Sequence, residues 1–156
     1  MRYTLAMSTI GTEPKPGLPQ ELLSSTPFLL KRLGFTVKER AHEALEGTGL
    51  QGHHHAILAL LGEGARATQG TIADALGYDR SQLVGLLDEL EAQGLVERRR
   101  DPRDRRCHLV SMTPAGQQAL SRLRTILERV QDEFLAPLDS EQRETLHDLL
   151  LALAAR

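Results

Sequence analysis

The chain has 156 residues, 40% of them apolar, with a formal net charge of −2 and a pI near 6.3. That length holds one domain, or one domain with a dimerisation arm, and the acidic balance means a polyanion must be held by a local basic patch rather than by the overall field. With no Trp, two Tyr and three Phe, leucine does most of the packing, and a single-stranded nucleic-acid or RNA platform built on base stacking is disfavoured.

Residues 1–20 carry Pro14, Pro16, Pro19 and two glycines in a polar setting. They read as a flexible tail, within which Met7 is an alternative start. Leu22-Leu23 form a short arm that packs on the next helix or on a partner. Thr26-Pro27 is a cap followed by proline at the first helical position, where its missing N–H costs nothing. Leu30, Leu33, Val37, Ala41 and Ala44 then keep a helical stripe up to Gly47.

A second helix is expected over Leu50 to Leu61, ending before Gly62-Glu63-Gly64, and it carries His53-His54-His55. Successive helical residues point about 100° apart, so three in a row cannot converge on one ion. A metal helix would place its histidines at i and i+4. No metal is therefore expected, and the histidines either pack or line a pocket, with His42 and Glu43 of the first helix as neighbours.

Gln69 to Met112 is the stretch on which function depends. Ala73, Gly77, Leu83 and Leu86 follow Gln69 at the spacing of a helix-turn-helix, with a small residue at the helix contact and Gly at the turn. Asp79 is expected to cap the second helix and to form a capping box with Gln82. Leu83, Leu86, Leu87 and Leu90 give that helix one apolar face, and Gly94 closes it. Arg80, Ser81 and Gln82 occupy its first turn, which in this motif faces base edges.

Two strand-like runs follow, 95–100 and 107–112, joined by the turn Asp101-Pro102-Arg103-Asp104. Ala65-Arg66-Ala67 is expected to add a third short strand. Six Arg against three acids lie between Glu97 and Arg106, and an arginine-tipped hairpin suits a narrow, electronegative minor groove. Thr113-Pro114 repeats the cap-plus-proline start. Leu120, Leu123, Leu127, Val130 and Phe134 keep the 3.5-residue period of helices that wrap one another. After Ala136-Pro137, Asp139 and Gln142 cap a last helix with Leu146, Leu149, Leu150 and Leu153 in a stripe.

Asp101-Pro102-Arg103-Asp104-Arg105-Arg106 with Met112-Thr113-Pro114-Ala115-Gly116 resembles the wing-to-helix signature of the MarR family of bacterial regulators. The run from Leu86 to Val96 is similar to that family's recognition helix and first wing strand, and the likeness covers about residues 27–156. One departure is Val84-Gly85, where many members carry a polar pair. The resemblance implies pairing through the terminal helices and an effector site where the dimerisation and DNA-binding parts meet, in the region of His42, His53 and His54.

The expected architecture is mainly α with a small β-hairpin (α+β): a winged helix-turn-helix over 48–112, flanked by helical dimerisation segments at 21–47 and 113–156. The expected function is a homodimeric regulator of transcription, a repressor that binds a pseudo-palindromic operator in double-stranded DNA and is released by a small-molecule effector. Arg80, Ser81 and Gln82 are assigned major-groove and phosphate contacts, and Val84 an apolar contact to a thymine methyl. Gln69 is assigned a phosphate; Arg103 and Arg105 are the wing residues, with Arg106 and Asp104 bracing the turn. No apolar run of 18 residues and no signal-peptide core are found, so a cytoplasmic protein without membrane contact is expected. The rivals are a winged helix that binds protein, favoured by Val84-Gly85, and a metal- or Cys-dependent enzyme using the histidines and Cys107. No Ser-His-Asp, His-Glu-x-x-His or glycine-rich phosphate loop supports the enzyme, and no catalytic residue or cofactor is assigned.

Overall fold

The computed structural model describes residues 17–64, 67–102 and 107–155. The chain divides into a first unit ending at Phe35 and a second beginning at Thr36.

In the first unit, α1 (Gln20–Leu23) is a single turn, so the tail expected over 1–20 gives way to helix at its last residue. Pro19 O accepts from the Leu22 and Leu23 N–H groups at 3.0 and 3.2 Å. Helix α2 (Thr26–Leu45) follows. Its cap lies one residue earlier than expected, because Ser25 Oγ accepts from Phe28 N at 3.5 Å. Leu30, Leu33 and Phe35 leave 41–65% of their surface exposed.

The second unit holds the end of α2, then α3 (Gly52–Gly62), β1 (Ala67–Thr68), α4 (Gln69–Leu76), α5 (Arg80–Ala92), β2 (Val96–Arg100), β3 (His108–Met112), α6 (Pro114–Phe134) and α7 (Ser140–Ala154). The sheet is antiparallel with order β1-β3-β2. Ala67 pairs with Val110 on one side of β3, and Arg98 with Val110 on the other. The short third strand is thus present, at Ala67–Thr68, while Ala65 and Arg66 lie outside the described residues.

Helix α3 starts two residues later than the apolar pattern implied. Gln51 is extended (φ −125, ψ 172) and forms a capping box in which the partner at the third helical position is His54. Leucine fills the core around it: Leu58, Leu87 and Leu90 are fully buried and Leu83, Leu120 and Leu123 nearly so. Each such side chain contributes about 1.5–3 kcal/mol relative to exposure.

The α6 stripe expected to face a partner is therefore largely used within the chain, since Leu120, Leu123 and Val130 are all buried. The α7 stripe is not. Leu149, Leu150, Leu151 and Leu153 remain 41–60% exposed, and α7 is tied to the end of α6 by Arg143 Nε, which donates to Leu135 O and Leu138 O at 3.1 Å.

The start of α6 is fixed to the start of β2. Thr113 N donates to Leu95 O at 3.0 Å, Thr113 Oγ1 donates to Gly94 O at 2.7 Å, and the same hydroxyl caps Gly116 N at 3.1 Å. A Cβ on Gly116 would lie 2.1 Å from Leu95 O. Only glycine admits that approach.

Candidate nucleic-acid interface

Helices α4 and α5 meet at Ala73, which is 1% exposed, and turn at Gly77 in the left-handed region (φ 67, ψ 28). Tyr78 N closes the turn on Ala73 O at 3.0 Å. Asp79 Oδ1 then caps α5, accepting from Ser81 N at 2.6 Å, Ser81 Oγ at 2.6 Å and Gln82 N at 3.2 Å. The Ser81 hydroxyl, followed by the two N–H groups, holds the Asp79 carboxyl below its usual range.

This arrangement revises two expectations. The reciprocal half of a capping box is not formed, so the Gln82 amide is not spent on Asp79. The Ser81 hydroxyl is spent there, which makes Ser81 part of the cap. Among the described residues, Arg80 and Gln82 are exposed and their side chains make no hydrogen bond or ion pair.

Arg80, Val84, Thr68 and Gln69 line one groove of about 350 Å³ together with Cys107 and His108 of the wing. The groove joins the first turns of both motif helices to the hairpin. Val84 is 41% exposed on its wall. Thr68, which caps α4 by accepting from Thr71 N at 3.2 Å, and His108 were not assigned from the sequence. His108 stands opposite Arg100 in the hairpin, a register that the sequence does not carry. Arg103, Arg105 and Arg106, with Asp104, lie outside the described residues.

Of the arginines on β2, Arg99 and Arg100 are exposed and Arg98 is half-buried. Arg98 Nη2 bonds Asp88 Oδ1 at 2.5 Å and Glu91 Oε2 at 2.6 Å. Its hydrogen bonds to Glu91 raise its pKa, and the same contact lowers that of Glu91. The charge count of six arginines in the hairpin includes one that the strand period turns away from solvent. Val96 and Arg98 share a face, and Val96 is 2% exposed, so Arg98 points inward to α5.

The three histidines of α3 diverge. His53 stacks obliquely on Tyr78, ring centroids 5.6 Å apart at 57°, and the pair lines a cleft of about 530 Å³ with Lys38, Glu39, His42 and Gln51. His54 is 2% exposed. Its Nδ1 accepts from Gln51 N at 3.1 Å and its Nε2 lies 3.0 Å from Glu89 Oε2. Burial lowers its pKa, against the opposing pull of Glu89. His55 is also held down, by burial and then by Arg124. His42 and His53 thus share a cleft, whereas His54, grouped with them from the sequence, is committed to a helix cap. Among the described residues no three His, Cys, Asp or Glu side chains are placed to hold a metal ion.

A helix-turn-helix whose second helix presents a free first turn beside a three-stranded wing defines a winged helix-turn-helix DNA-binding protein. Residues 48–106 match the sequence profile of the MarR family. A MarR-family transcriptional regulator from Rhodococcus sp. RHA1 is 32% identical, with a TM-score of 0.80 over 87% of this chain and 96% of that one. The chain belongs to the MarR family of transcriptional regulators. The transcriptional repressor CouR, solved on a 23-mer DNA duplex, is 31% identical with a TM-score of 0.81, over 92% of this chain and 99% of that one. CouR from Rhodococcus jostii RHA1 bound to p-coumaroyl-CoA matches at 33% identity and a TM-score of 0.75, over 87% and 96%. A candidate regulatory protein for the hcr operon of Thauera aromatica is 35% identical over 99 residues, 64% of this chain. The match spans 60% of that relative's length. No helix among the described residues is long and apolar enough to cross a membrane.

Proposed function

We propose that this regulator is a homodimeric repressor that binds a pseudo-palindromic operator and releases it when a small-molecule effector binds. The observation that carries the reading is the groove where Gln69, Arg80 and Val84 meet the wing, with Gln82 unspent on the same first turn. Arg80 and Gln69 take phosphates, Gln82 a base edge and Val84 a thymine methyl. The arginines of the wing tip, Arg103 and Arg105, follow the minor groove beside it.

The dimer is supported by the large apolar side chains that α7 leaves exposed, Leu149, Leu150, Leu151 and Leu153, since clustered exposed apolar residues mark interfaces. Two recognition helices about 34–36 Å apart would then read successive major grooves. Because Leu120 and Leu123 join the winged-helix core, this reading puts the start of the dimerisation segment within α6 rather than at residue 113. The effector is supported by the cleft of Lys38, Glu39, His42, His53 and Tyr78, whose rings suit an aromatic ligand and whose Lys38 can meet an anionic group on it. CouR's complex with p-coumaroyl-CoA is consistent with that chemistry.

Selection of duplexes from a random-sequence library by the purified protein tests the reading. The expected product is an inverted repeat, released when an aromatic acyl-CoA or aromatic acid from a panel is added. Failure to enrich any sequence over several rounds would sink the operator, and enrichment without an inverted repeat would sink the dimeric mode.

A further inference from the structure

Among the described residues, His54 Nε2 is the buried side-chain polar atom that has no aligned hydrogen-bond partner, although it sits 3.0 Å from Glu89 Oε2. Buried polar groups in this condition are uncommon and call for an explanation. His54 lies on α3 and Glu89 on α5. One residue therefore connects the cap of α3, which begins at the edge of the His42–His53 cleft, to the helix that reads DNA.

The backbone dictates the tautomer. Gln51 N–H donates to Nδ1, so Nδ1 is an acceptor and the single proton of neutral imidazole is on Nε2, facing Glu89. This also disfavours a cation between His54 and Glu89, because Nε2 could ligate only by moving its proton to Nδ1, against the Gln51 N–H. Protonation has a similar cost. A second proton goes on Nδ1, two N–H groups then face each other across 3.1 Å, and the cap of α3 opens.

We infer that His54 is a positioning residue that links the cap of α3 to the recognition helix beside Glu89, and that protonation, by opening that cap, disturbs the seat of α5 and couples DNA affinity to pH. The inference rests on the reading of α5 as the DNA-contacting helix. The charged and titratable groups around His54 are Glu89 from α5, His53 from its own helix, and His42 and Glu46 from the end of α2, which line the same small cleft of about 240 Å³. Glu89 favours the imidazolium while burial and His53 oppose it, and burial is the larger. The sign follows. A histidine whose folded pKa is depressed is neutral at pH 7, and its contribution declines as pH falls below its ordinary value of 6.5.

His54→Gln is the informative variant. Glutamine at the third helical position is a natural capping-box residue, its amide can still face Glu89, and it does not titrate. Histidine ring resonances and α5 amide shifts would be followed by NMR from pH 7.5 to 5. In parallel, affinity would be measured for a duplex selected by the wild-type protein from a random library.

Wild type should show the Gln51 and α5 amides moving with the His54 midpoint, and an affinity loss of about threefold to tenfold on acidification relative to His54→Gln. Glu89→Gln should move the His54 midpoint further down. If α5 amides ignore the His54 midpoint, or if His54→Gln keeps the wild-type pH profile, the inference is overturned. If no duplex is enriched, the DNA-binding reading fails, while the NMR arm still decides whether His54 and α5 are coupled.

Discussion

Arg98 grips both oxygens of Glu91: its backbone N–H donates to Oε1 at 3.1 Å, and its Nε and Nη2 donate to Oε2 at 3.0 and 2.6 Å. One carboxylate on α5 thus fixes both the main chain and the side chain of β2. Wing and recognition helix are joined at this point as well as through the core.

Replacing Arg98 with Ala should lower stability by about 1 kcal/mol, a figure held down by the exposure of its acidic partners. Arg98→Lys should not restore it, because a point charge cannot reproduce the planar fork. Chemical denaturation measures both. The pH dependence has a definite sign. Glu91 is depressed below its ordinary 4.5 by Arg98, so its contribution is present above that pH and is lost as the pH falls further. Glu91→Gln should flatten the acid limb of the stability curve; an unchanged limb would show that the pair contributes nothing.

Two glycines should respond oppositely to alanine. Gly116→Ala places a Cβ against Leu95 O and should cost about 3 kcal/mol or more. Gly85 sits inside α5 with nothing within 4 Å of a Cβ, so Gly85→Ala should stabilise by about 0.5–1 kcal/mol. Thermal melts of the two variants decide the matter, and equal shifts would refute the packing described at the α6 start.

The two polar side chains of α5's first turn should divide their work. Arg80→Ala should weaken specific and random duplexes alike and reduce the slope of log K against log salt by about one unit. Gln82→Ala should cost about 1–3 kcal/mol on the selected site and little on random DNA. Fluorescence anisotropy at several salt concentrations separates them. Equal losses on both DNAs for Gln82→Ala would remove it from base readout.

The exposed leucines of α7 offer a direct test of the proposed dimer. Leu149→Glu combined with Leu153→Glu should yield a folded monomer by light scattering, with weaker operator binding than the intact protein. A dimer that survives both changes would place the interface elsewhere.

His53→Ala should change effector-induced release more than operator affinity, since its ring faces Tyr78 in the cleft rather than the DNA groove. His42→Ala should act in the same way. Loss of DNA binding in a folded His53→Ala protein would contradict this placement.

What the residues disclosed in advance was local and periodic. The helix-turn-helix, its Gly77 turn, the Asp79 cap and the hairpin all follow from spacing and from single residue types, and each is present. The misreadings arose where tertiary pairing overrode type. In the sequence Arg98 counts only as part of the hairpin's charge, whereas the alternation set by Val96 turns it inward. Leu120 and Leu123 looked like a seam for a partner, but the fixing of Thr113 and Gly116 to the start of β2 aims them into the core. His54 looked like one of three equivalent histidines, and only the extended backbone of Gln51 distinguishes it. A single sequence lacks these cross-chain registers, so residues that depend on them stay ambiguous.

The close seating of Gly116 on Leu95 has a mechanical consequence. Helix α6 has 21 residues and at a rise of 1.5 Å per residue is a beam about 31 Å long, anchored at the DNA-binding end through backbone contacts with no compressible side chain between them. A tilt of about ten degrees imposed at the far end would swing the wing base by roughly 5 Å over that length. In the proposed dimer that displacement is comparable to the rise of one or two base pairs, enough to throw two recognition helices out of phase with the grooves without unfolding either. Release of DNA then needs no change in the contacts within the reading head, only a change of angle where the beams are joined.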